Sequence, residues 1–148
     1  MKGKTNPANN GKVRLSQHFY LREFTYSRVA IDNGIDNCTP PLQVVRALRR
    51  LCIQLLEPLR ASCGNRPMHI LSGYRCPVLN RRVGGALLSQ HLTGEAADLY
   101  MTDFSLLLNT LRSRNSPDFD QAIYYSKRNF VHLSYSFTGK NRRQLIYL

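Results

Sequence analysis

An α+β domain is expected from three observations. A long apolar stripe at helical spacing runs from Pro40 to about Ser62. Five short β-prone runs follow, at residues 68–72, 95–100, 120–125, 129–135 and 143–148. A shorter helical pattern sits between the second and third of them. The pattern predicts a single compact domain over residues 15–148, an antiparallel sheet with packed helices, behind a flexible, basic leader at residues 1–14.

Each element has its own local reason. LSQHFYLREF carries Phe19, Leu21 and Phe24, a short apolar set able to cap a core, and AIDNGIDNCTPP reads as turns. In the long helix Thr39 is the expected N-cap, and Pro40 fits a first turn where its missing N–H costs nothing. Val45, Leu48, Leu51, Cys52, Leu55, Leu56 and Leu59 supply the stripe. Pro58 is expected to kink the last turn and Gly64 to end it. MHILS and EAADLY read as strands, with one or two helical turns over PVLNRRV between them and Gly84-Gly85 as a stop. Asp103 or Thr102 can cap FSLLLNTLRSR. DQAIYY, NFVHLSY and RQLIYL complete the sheet across short turns.

Composition narrows the class. Of 148 residues 43% are apolar and 20% charged, which excludes a disordered chain, a collagen or a coiled coil. No apolar run approaches the ~18 residues of a membrane span, so no transmembrane segment is expected. Lys and Arg number 21 against 9 Asp and Glu, a net charge of +12 that favours anionic partners in general. No zinc-finger cysteine pairing and no RNP signature accompany it, so no specific nucleic-acid partner is expected. The four cysteines, Cys38, Cys52, Cys63 and Cys76, form no CxxC. The opening MKGKTNPANNGKVR has basic residues with no apolar stretch behind them, unlike a secretory signal. Reduced thiols are therefore the default, with Cys52 and Cys63 buried as small apolar groups.

Three residues stand out for chemistry: His91, Asp98 and His132. Small and flexible residues between the first two allow a histidine loop to fold back over a carboxylate on the next strand. His132 lies mid-strand, with Val131 and Leu133 facing the other way. Two imidazoles and a carboxylate are a ligand set for catalytic zinc that leaves a fourth position open. On spacing alone, unrelated polar side chains explain the same three residues. His18 and His69, without such neighbours, read as structural.

Longer blocks carry a resemblance. Ser89-Gln90-His91-Leu92-Thr93-Gly94-Glu95-Ala96-Ala97-Asp98 resembles the S-x-H-x-x-G-x-A-x-D signature of the zinc D-alanyl-D-alanine carboxypeptidases and their relatives. Ser72-Gly73-Tyr74-Arg75 looks like their S-G-Y-R segment, followed by Leu79-Asn80 and Val83-Gly84-Gly85. Phe119-Asp120-Gln121 and Phe130-Val131-His132-Leu133-Ser134-Tyr135 look like the closing block of a subgroup frequent in bacterial and phage genomes, and LSQHFYLREFTYS and GIDN fit it too. The likeness runs from about Leu15 to Asn141. It implies the compact fold shared with the hedgehog signalling domain, zinc held by His91, Asp98 and His132, and Arg75 as the arginine that anchors substrate. It also implies Ser89 as a hydroxyl near the peptide or a support of the His91 loop.

The same comparison exposes a departure. Many members carry a carboxylate three residues before the second ligand histidine, where this chain has Asn129. The subgroup often has Glu after I-Y, where this chain has Tyr125. Neither is a carboxylate, so Asp120, and after it Glu95, are the acid/base candidates. Two functions are therefore expected to compete. The first is a zinc peptidase, carboxypeptidase or endopeptidase, on peptidoglycan stem peptides, working as a monomer. The second is a cell-wall-binding module of the same fold that has lost catalysis. A substrate outside the cytoplasmic membrane would require release through a holin or a secretion machine.

Overall fold

The computed structural model describes residues 11–148. Most of the expected leader at residues 1–14 lies outside this range. In its described part, the Leu21 N–H donates to the Val13 carbonyl (2.9 Å) and Arg14 bridges to Tyr20, so backbone pairing begins just before Leu15. Two short helices follow, α1 (Leu21–Thr25) and α2 (Arg28–Asp32). The second lies partly in the stretch expected to be turns. Ser27 accepts from the Ala30 N–H at its start, and the Arg28–Asp32 pair, one turn apart, closes it.

The long helix forms with two changes. Its regular part, α3, spans Leu42–Leu51 and is preceded by Pro41, which offers no side-chain cap; the Thr39 hydroxyl donates to the Asp36 carboxylate instead. A π-helical turn, Cys52–Leu56, then leads into α4, Glu57–Ser62. There the Glu57 N–H reaches back to the Cys52 carbonyl. The cause is Pro58, whose ring would collide with the carbonyl four residues earlier in a regular helix. A widened turn upstream relieves that collision, where a kink in the last turn was expected.

After β1 (His69–Ser72), α5 (Pro77–Arg82), β2 (Ala96–Tyr100) and α6 (Phe104–Arg112) come β3 (Gln121–Tyr125), β4 (Phe130–Ser134) and β5 (Gln144–Tyr147). Asp103 caps α6 by accepting from the Leu106 N–H. The strand order is β1-β2-β4-β3-β5. The first four strands pair antiparallel as expected, but β5 runs parallel to β3, so the sheet is mixed. Both edges of β4 are occupied, by β2 and β3, so β5 cannot pair with the strand before it and instead takes the open edge of β3.

One hydrophobic core joins the helices to the sheet. Val44, Val45, Leu48, Leu51, Cys52, Leu55, Leu56 and Leu59 meet Ala97, Leu99, Val131 and Leu133. Cys52 and Cys63 are buried free thiols, as the sequence suggested. The β2–β4 register pairs Ala97 with Leu133, Asp98 with His132 and Leu99 with Val131. Alternation along both strands thus sends the flanking apolar residues into the core and the polar pair to the other face. Among the described residues no helix is long and apolar enough to cross a membrane.

Candidate metal centre

Asp98 and His132 are cross-strand neighbours, and the third partner arrives from a turn. Gln90–Thr93 form a 3-10 turn whose start is capped by Ser89, with Gly94 closing it at φ 77°. A Cβ at Gly94 would stand 2.7 Å from the Val44 carbonyl oxygen. This position demands glycine twice, for its left-handed backbone and for its closeness to α3. The turn delivers His91, 3% exposed, over the sheet.

His91 Nδ1 lies 2.6 Å from the Gly73 carbonyl oxygen. A carbonyl only accepts, so Nδ1 carries the hydrogen, and in the neutral ring Nε2 presents a lone pair. That lone pair faces Asp98 Oδ1 at 3.2 Å. His132 Nδ1 approaches the same oxygen at 2.9 Å, and the three ligand atoms lie within 4.8 Å of one another. A lone pair set against a carboxylate oxygen calls for positive charge between or beside them. A metal cation meets that need, and two nitrogens with one oxygen are a donor set suited to it.

Asp98 is tuned for this. Burial disfavours its charge, but its neighbours, led by the hydrogen bond with His132, outweigh burial and hold the carboxyl far below its ordinary range. Its second oxygen, Oδ2, accepts from Arg75 Nη2 at 3.2 Å, while Arg75 Nε donates to Ser72 Oγ at 3.2 Å. Arg75 therefore turns the carboxylate so that Oδ1 faces both imidazoles. Its backbone is placed in turn: the Arg75 N–H donates to the His91 carbonyl at 3.1 Å. Buried Asn37 donates to the Thr25 and Tyr74 carbonyls and accepts from the Cys76 N–H. Asn37 was not singled out from the sequence, although GIDN lay within the resemblance. An asparagine that ties three backbone segments together is visible only once they meet.

The group lies in a cleft of about 360 Å³ lined by Arg75, Ser89, Tyr125, Arg128, Phe130 and the loop Val83–Ala86 as well as by the three ligand candidates. Asn80 holds that loop, donating to the Ala86 carbonyl, and a Cβ on Gly85 would overlap the Asn80 side chain.

Comparison with protein families matches residues 17–134 to the family described as Peptidase M15. The chain belongs to the peptidase M15 family. No curated protein matches the sequence. An M15 peptidase is a hydrolase of the metallopeptidase class, and the His91–Asp98–His132 group is where this one can hold a metal ion.

The remaining expected residues of this M15 peptidase fall in different places. Ser89 lines the cleft, and its hydroxyl oxygen accepts from the His91 N–H at 3.3 Å. Asn129 sits in the β3–β4 turn at φ 55°, a left-handed conformation that asparagine tolerates better than most residues. Tyr125 lines the cleft, stacked on Phe130 with ring centroids 4.6 Å apart. Glu95 does not line the cleft: it accepts from the Thr93 hydroxyl and the Phe137 N–H, which closes its own turn. Asp98 is the one carboxylate among the described residues lining the cleft.

Asp120 is buried and lies outside the cleft lining. Its oxygens accept from Arg142 Nε (2.9 Å) and Nη2 (2.7 Å), from the Arg142 N–H, and from Gln90 Nε2 (2.9 Å). The carboxylate thereby ties the His91 turn to the segment leading into β5. Hydrogen bonds from Arg142 lead the causes that hold its carboxyl below the ordinary range. A depressed carboxyl adds stability that is fully present above its unfolded pKa of about 4 and is lost as pH falls through the folded value. Asp120→Asn should lower the urea midpoint at neutral pH. Between about pH 5 and pH 3 its midpoint should fall less than that of the unmutated protein. Equal acid sensitivity of the two would show that this pair adds nothing.

Proposed function

We propose that this M15 peptidase is a zinc enzyme hydrolysing peptide bonds in peptidoglycan stem peptides. The supporting observation is the meeting of His91 Nε2, Asp98 Oδ1 and His132 Nδ1 on the floor of an open cleft, in a chain of this family. These three residues would hold the zinc. When bound, the ion supplies a Lewis acid that polarises a carbonyl and makes water more acidic.

The chain's own groups do the rest. Gly73 and Arg75 fix the imidazole tautomer and the carboxylate orientation, so the donor set stands ready before substrate arrives. Arg75 commits one Nη2 hydrogen and its Nε hydrogen within the site, and its other N–H groups are available to a substrate carbonyl or carboxylate. Ser89 keeps its own hydroxyl hydrogen for a peptide carbonyl. Tyr125 lines the cleft where its subgroup often carries a carboxylate, and a phenol can donate a hydrogen bond to a substrate oxygen.

Metal analysis joined to a muropeptide assay tests the reading. About one zinc per chain is expected, with release of a stem-peptide fragment that stops on chelation and returns when zinc is restored. A zinc-loaded protein that leaves every stem peptide intact would overturn the peptidase reading and leave a binding module.

A further inference from the structure

We propose that Arg128, stacked on Phe130 at the mouth of the cleft, is a subsite for a peptide carboxylate, so that the protein selects substrates carrying a free carboxylate close to the cleaved bond. This rests on the peptidase reading for the identity of the ligand. It concerns a residue outside the metal group and outside the blocks that carry the family likeness.

Four observations support it. Arg128 belongs to the four-residue turn between β3 and β4, yet it lines the same cleft as His91, Asp98 and His132. Its guanidinium carbon lies 5.0 Å from the centre of the Phe130 ring, and that ring is buried and stacked on Tyr125, so the cation rests on a fixed aromatic support. Among the described residues no carboxylate or hydrogen-bonding group pairs with the guanidinium. Exposed arginines such as Arg46, Arg49, Arg81 and Arg82 also lack an ion pair among the described residues, but they do not line the cleft, whereas Arg128 does. Finally, Arg128 shares the cleft with Arg75 closely enough for the two charges to repel. The cleft's one lining carboxylate, Asp98, is already committed to His91, His132 and Arg75.

A guanidinium on an aromatic face, with its edge N–H groups unused, is prepared for a planar anion. It offers a carboxylate two parallel hydrogen bonds, and a neutral amide cannot replace them. Stem peptides carry two such groups, the C-terminal carboxylate and a side carboxylate, and the same fork accepts either. Sequence inspection passes over Arg128 because it is one of many arginines in a basic chain. The clue available there was its place in a short turn between the I-Y-Y run and the His132 strand.

The test uses acetyl-γ-D-glutamyl-L-lysyl-D-alanyl-D-alanine, its C-terminal amide and its glutamyl α-amide. KM and kcat are measured on the zinc-loaded protein, and equilibrium binding on the metal-free protein, where no turnover intervenes. One of the two amides should raise KM and weaken binding about tenfold or more. Arg128→Ala should reduce that penalty to less than about threefold, with the change in KM rather than kcat. Arg128→Lys should keep part of it, retaining charge without the fork. Equal handling of all three peptides, or an undiminished penalty in Arg128→Ala, overturns the subsite. Hydrolysis without carboxylate preference defeats the subsite and keeps the peptidase. Arg128-dependent binding without hydrolysis does the reverse. Absence of both binding and hydrolysis defeats both.

Discussion

Asp98→Asn is expected to strip the metal from the protein and remove hydrolysis while the chain still folds. The substitution keeps shape and volume but removes the charge that three cations or cation ligands share. Oδ1 faces His91 Nε2 and His132 Nδ1, and Oδ2 faces Arg75. A neutral amide oxygen is a poor ligand, so metal affinity should fall by more than the ~10–100-fold that loss of a supporting hydrogen bond costs. Arg75 would lose its counter-charge within the fold, but the cleft admits water. We therefore expect about 1–3 kcal/mol of lost stability, less than for a sealed ion pair. Metal content per chain, the urea midpoint and muropeptide turnover read these effects separately. Normal zinc content together with normal turnover would remove Asp98 from the metal site.

Gly73→Ala should produce the second large effect, through packing. A Cβ there would stand 2.6 Å from the Cα and Cβ of Phe24 and 2.7 Å from its carbonyl oxygen. Phe24 cannot give way, being fully buried and set edge-on against Phe19, while its carbonyl accepts the Tyr74 N–H at 2.7 Å. Overpacking against backbone costs about 3 kcal/mol or more where nothing can yield. The Gly73 carbonyl is also the acceptor for His91 Nδ1, so the strand shift that relieves the clash should loosen the imidazole and weaken metal binding about 10–100-fold. Gly139→Ala serves as the control. Its φ is 80° but nothing lies within 4 Å, so only the backbone strain of about 1–2 kcal/mol is expected, with metal binding unaltered. If the two variants behave alike, the close approach at Gly73 is not what constrains that position.

These expectations indicate what a one-dimensional reading can reach. Asp98 and His132 were legible because strand alternation is a local rule: Ala97, Leu99, Val131 and Leu133 mark the inner face, and whatever lies between them must face outward. The His91 turn was legible because Gly94 is a local backbone requirement. Thr39 was misread as a cap because its hydroxyl finds Asp36, three residues earlier, and the helix begins after Pro41 without a side-chain cap. The direction of β5 depends on which sheet edges are already filled, a matter of topology that no window of residues contains. Asp120 looked like a spare carboxylate until Arg142 and Gln90 were seen on it, 22 and 30 residues away in sequence. Asn37 and Arg128 were missed for the same reason: their meaning lies in what surrounds them.

The back-to-back arrangement of core and ligands on β2 and β4 has a consequence for how faithfully the sheet must assemble. A slip of one position by either strand would swing its own carboxylate or imidazole into the oily interior and turn that strand's flanking apolar residues outward. Each face thus proofreads the other. Misaligned chains are penalised twice, and an ion captured by this protein certifies that its central strands have found their correct alignment.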